Sequence, residues 1–72
     1  VSTTIADLQS SIDSARTRLA LPDADAWSCG YWYGVISARS VAIATGEGFA
    51  IAKAAQEEIS AIEHKLKQEE KQ

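Results

Sequence analysis

From Trp27 to Leu66 the chain carries one stripe whose steps alternate four and three residues without a slip: Trp27, Tyr31, Gly34, Ala38, Val41, Thr45, Gly48, Ala52, Ala55, Ile59, Ile62 and Leu66. Such a stripe has the 3.5-residue period of a helix seam, a surface that meets another helix. It is aromatic at its start, small in its middle and aliphatic at its end. It limits the chain to helices that pack along their length, and it names no reaction.

With 72 residues the chain is read as one helical domain, 1–72, too small for a lone core to be more than marginal. Cys29 is the only cysteine, so no disulfide forms within the chain, and His64 is the only histidine, so no metal-ligand spacing exists. No cofactor is called for. What remains as a source of stability is close helix packing, association with other copies, or both.

A net charge of −3 with scattered basic residues disfavours nucleic acid as a partner. The longest uncharged run, Ala26 to Ala38, falls short of a membrane span, so a soluble chain with no membrane partner is expected. The first residues lack a basic segment followed by an apolar block, and a single unpaired cysteine suits a reducing compartment. The cytoplasm is the expected location.

The spacing predicts a first helix over about 4–20. Ile5, Leu8, Ile12, Ala15 and Leu19 share one face, Thr4 caps the start with Asp7 as its reciprocal partner, and Arg16 and Arg18 lie late, as the helix dipole favours. Pro22 stops this helix, and Asp23 or Asp25 caps the next. So short a connection sets the two helices antiparallel.

Gly46 and Gly48 are the difficult point, because two glycines in a helix interior cost about 2 kcal/mol relative to alanine. The seam keeps its phase through them, which favours one long helix over about 25–69. The fold expected is therefore an all-α antiparallel helical hairpin that oligomerises. The alternative is a three-helix bundle with a break at 46–48. The polar residues 68–72 read as a frayed tail.

On a hairpin the first helix covers less than half of the second. Tyr31, Gly34, Ala38, Val41, Ala52, Ala55, Ile59, Ile62 and Leu66 then become an interface for further copies, in a dimer or tetramer. A second stripe, Trp32, Ile36 and Ile43, runs along the other side of the same helix and is interrupted by Arg39.

The segment Trp27 to Gly34 holds four of the five aromatic residues. Trp27, Tyr31, Trp32 and Tyr33, with Arg39 further on, could form a platform for a planar or anionic ligand such as a nucleotide. Large rings anchoring a core or an interface are the plainer reading. Gly30 and Gly34 form a G-x-x-x-G step that lets another helix or a large ring come close.

Cys29 has no basic neighbour in helical reach to activate it, His64 falls on the outer face, and Asp23 and Asp25 read as caps rather than a catalytic pair. No nucleophile and base stand together, so the chain is read as non-enzymatic. The functional expectation is a self-associating helical interaction module. The alternatives are an oligomeric binder of a small planar or anionic ligand, and an acidic inhibitor or adaptor of a foreign protein.

Overall fold

A computed structural model describes residues 3–70. The chain is all-helical, with α1 (Ile5–Leu19), α2 (Ala26–Ile43) and α3 (Gly46–Glu70) and no strand among the described residues.

The first helix forms as its sequence requires. Thr4 Oγ1 accepts from the Asp7 amide at 3.2 Å, and the Asp7 carboxylate accepts from the Thr4 amide at 2.9 Å, which closes the capping box. Leu8, Ile12, Ala15 and Leu19 are buried on one face, with Ser11 between them. Ser11 satisfies its hydroxyl by donating to the Asp7 carbonyl one turn back. After the Pro22 turn, Asp25 caps α2 by accepting from the Ser28 amide at 2.8 Å, while Asp23 pairs with Arg18 at 3.0 Å.

The helix expected over 25–69 is interrupted between Ile43 and Gly46. Ala44 lies in the left-handed region, at φ 56° and ψ 40°, and its amide donates to the Ser40 carbonyl. This is the usual way to end a helix with a single left-handed residue, here achieved without glycine. Thr45 then starts α3 by accepting the Gly48 amide on its side chain at 3.1 Å. The interruption thus falls just before the 46–48 segment named by the alternative reading. The two glycines lie in the first turn of α3, not at the corner itself. Gly48 is buried there because a Cβ at that position would sit 3.0 Å from Ile43 Cγ2.

Each helix touches the other two. The α1–α3 pair runs parallel, with Gln9 and Ile51 sharing one groove and Arg16 bonded to Glu58. Helix α2 runs opposite to both. Gln56 of α3 donates to the Tyr33 carbonyl, and Thr3 lies in a groove with Val35, Ala38 and Ala42. The core consists of Leu8, Ile12, Ala15, Leu19, Cys29, Ile36, Ala52, Ala55 and Ile59, with Trp32, Ile43, Ile51, Ile62 and Leu66 packed around it. Residues 68–70 of the tail expected to fray continue α3, and residues 71–72 lie outside the described residues.

No described helix is long and apolar enough to cross a membrane.

Candidate functional site: the outer face of α2

The expected seam divides at the corner. Its second half turns inward, with Ala52, Ala55 and Ile59 buried in the chain's own core and Ile62 and Leu66 packed against that core. These five positions were expected to meet another chain. Ala52, Ala55 and Ile59 are instead buried within the chain and Ile62 and Leu66 partly so, because the turn at Ala44 folds the two halves of the stripe onto different sides of the molecule. Its first half, Trp27, Tyr31, Gly34, Ala38 and Val41, points away from the core and is exposed.

The face of α2 that enters the core is the other stripe. Cys29 and Ile36 are fully buried, Ser28 and Ser40 are nearly so, and Trp32 and Ile43 lie at its edges. Small polar residues extended this stripe without marking it as apolar, which is why the aromatic and small stripe stood out in its place. Ser40 is accommodated because its hydroxyl donates to the Ser37 carbonyl at 2.8 Å. Arg39, which interrupts the second stripe in sequence, is exposed beside it and does not enter the core.

Trp27, Gly30, Tyr31, Gly34, Ala38, Val41 and Ala42 are all exposed on the outer face of α2, whose only charged neighbour on that helix is Arg39, at the edge beside Ala38 and Ala42. Trp27 is 75% exposed, Val41 65% and Tyr31 52%, high values for side chains of this kind. The Trp27 and Tyr31 rings stack at 5.7 Å with planes 10° apart, and Tyr31 meets Trp32 edge-on at 5.2 Å. The aromatic array is therefore pre-ordered at the N-terminal end of the face.

The glycines of this face have no internal explanation. A Cβ built on Gly30 or on Gly34 meets nothing within 4 Å, and neither residue has a positive φ. Each costs about 1 kcal/mol of helix stability relative to alanine. Among the described residues neither packing nor backbone geometry requires them.

The residues expected to bind a ligand do not converge. Trp27, Tyr31 and Trp32 form one array, and Trp32 is partly buried against the core. Tyr33 lies on another side, in a shallow groove with Lys53, Gln56, Glu57 and Ser60. Arg39 lines the groove with Thr3, Val35, Ala38 and Ala42, about 12 Å along the helix axis from Tyr31 at 1.5 Å per residue.

Outside this face, Arg16 donates to both carboxylate oxygens of Glu58 at 3.1 Å and stands 3.8 Å from Asp13. That bond holds the Glu58 carboxyl below its ordinary range. The pair closes one side of a void of about 20 Å³ lined by Ile12, Ala15, Leu19, Ile36, Ala55, Ile59 and Ile62. The sequence reading did not detect this pair, since its partners lie on different helices and only their packing brings them together. Burial, followed by the Glu63 and Asp25 carboxylates, raises the Cys29 thiol. Among the described residues no group of three or more His, Cys, Asp or Glu side chains is placed to hold a metal.

No family model matches this chain, and no curated protein or solved structure shows significant similarity to it.

Proposed function

We propose that this protein is a small interaction module, a three-helix bundle that self-associates through the outer face of α2. One observation carries the reading: two helix-interior glycines, Gly30 and Gly34, lie in open space on that face beside exposed aromatic rings. Glycine at such positions removes bulk from the path of another surface, and no described residue of the same chain approaches there. The glycines are accounted for if a second chain does.

The area is sufficient for a reversible contact. The exposed parts of Trp27, Tyr31 and Val41, with the small residues between them, amount to about 500 Å² per copy, on a scale of 150–250 Å² for an aromatic side chain. Two copies would cover about 1,000 Å², the lower end for a specific interface. Association in the micromolar range is the expectation.

A helix of a foreign protein could use the same face, as an inhibitor or adaptor would. A planar or anionic ligand such as a nucleotide has less support, because Trp27 and Tyr31 stack on one another and Arg39 stands apart. No catalytic role is proposed. A cytoplasmic setting is the companion proposal, supported by the free thiol of Cys29.

Light scattering behind a sizing column tests the reading. Mass rising from one chain toward two as the protein is concentrated is the expected result. A single chain at every concentration would overturn it and leave the face to a foreign partner.

A further inference from the structure

The outer face of α2 is bulky at one end and small in the middle, and this taper selects a direction. From the self-association reading we infer that two copies pair antiparallel about Gly34, so that Tyr31 of each copy seats over Ala38 of the other. In an antiparallel pair centred on Gly34, positions whose numbers sum to about 68 meet across the contact. Gly34 then faces its own symmetry mate, Tyr31 faces Ala38, and Trp27 faces Val41. Each large residue is opposed by a smaller one, and the small residues Gly30, Gly34 and Ala38 meet near the centre, where the axes come closest. A two-fold axis through Gly34 makes the two halves of the contact identical, as an isologous dimer requires.

The parallel arrangement fails on volume. Trp27 and Tyr31 would each meet themselves, ring against ring, while Ala38 would meet only Ala38 and leave a gap. The helices would be held apart at one end and unfilled at the other, and both states cost contact energy. The open space around Gly30 and Gly34 supports the same arrangement, since removal of Cβ near the centre allows close approach where the axes cross. Tyr31 is already fixed between Trp27 and Trp32, so it enters the contact with little remaining freedom to lose.

Spin labels placed on cysteines at Ala42 and, in a second variant, at Glu47 read the direction. Both positions are exposed, and Glu47 lies beyond the face in the first turn of α3. Cys29 is fully buried, so the unsubstituted chain serves as the unlabelled control. Antiparallel pairing separates the Ala42 labels by about 24 Å along the axis, and the Glu47 labels by more. Parallel pairing brings the Ala42 labels to roughly the 8–10 Å interaxial distance plus the label arms, and leaves the Glu47 labels level with one another along the axis. A short Ala42 distance, in a sample that light scattering shows to be dimeric, would overturn the register and leave self-association standing. A monomeric mass for the unlabelled chain would overturn both. An exchange of volumes gives a second test. Tyr31→Ala and Ala38→Tyr should each weaken the dimer about tenfold or more, equivalent to about 1.4 kcal/mol. Combining them should restore most of the affinity, because each ring again meets an alanine. A double variant as weak as the worse single one contradicts the antiparallel seat.

Discussion

Gly48 and Ile43 meet across the corner between α2 and α3, where a Cβ on Gly48 would approach Ile43 Cγ2 to 3.0 Å. The left-handed turn at Ala44 brings these two residues together, and only glycine fits beneath Ile43 without displacing it. Gly48→Ala should therefore lower stability by about 1 kcal/mol, as overpacking outweighs the gain in helix propensity. Ala44→Gly should act oppositely, raising stability by roughly 0.5–1 kcal/mol through relief of the left-handed backbone. Thermal melts followed by circular dichroism should show midpoints moving in opposite directions. Equal shifts of one sign would contradict this account of the corner.

Gly34→Ala separates folding from association. Within one chain the new methyl meets nothing, so helix propensity should stabilise the monomer by up to about 1 kcal/mol. Across the proposed contact the same methyl lies at the centre and should weaken the dimer. Urea unfolding at low concentration and sedimentation at high concentration measure the two effects. A variant that is more stable and equally dimeric would exclude Gly34 from the contact.

The two faces of α2 should respond very differently to truncation. Ile36 is fully buried, and Ile36→Ala should cost 2–5 kcal/mol, about the usual range for such a cavity. Val41→Ala, at a position 65% exposed, should change the unfolding free energy of dilute protein by less than about 0.5 kcal/mol. A large effect at Val41 under these conditions would mean that the outer face is covered within one chain. Ile59→Asp is no test of an interface, because Ile59 lies in the core and the change would bury a charge.

Acid should destabilise the chain through its helix caps. The Thr4 amide, bonding to its carboxylate, lowers the Asp7 pKa, and the Ser28 amide does the same for Asp25. A carboxyl lowered in the folded state contributes stability that is complete above its unfolded value, near 3.9, and lost as pH falls through the folded value. Stability should therefore be level from about pH 5.5 to 7 with respect to these groups and fall below about pH 4. Asp25→Ala should lower the melting midpoint at pH 7 and have little effect at pH 2. An equal deficit at both pH values would show that the Asp25 carboxylate is not the source of the effect.

The Cys29 thiol should react with a maleimide only when the chain opens. It is fully buried, and burial raises its pKa, so both access and thiolate supply are restricted. The labelling rate at pH 7.5 should follow the unfolded fraction across a urea titration. Rapid labelling of native protein would place Cys29 outside the core.

Much of the fold was legible from local chemistry. The Thr4 cap, the Pro22 stop and the buried face of α1 depend on interactions within a few residues, and sequence alone places them; for α2 it left the cap between Asp23 and Asp25, and the structure assigns it to Asp25. Helical class follows equally from the periodicity. The interruption after Ile43 was harder to read, because its left-handed residue is an alanine, and the neighbouring glycines drew attention two residues too late.

The site was legible as a list of residues but not as a surface. Sequence singled out Trp27, Tyr31, Gly34, Ala38 and Val41, and it joined them to Ala52, Ala55 and Ile59 in one seam. A helix apolar on two sides offers two candidate core faces, and periodicity cannot choose between them. The choice belongs to the tertiary structure. The turn at Ala44 and the packing of α1 bury Cys29, Ile36 and Ser40, so the aromatic and small stripe is left outside. Helix identity, caps and the first stop were set by the sequence locally. Which stripe became core and which became surface was decided only when three helices competed for the same apolar area.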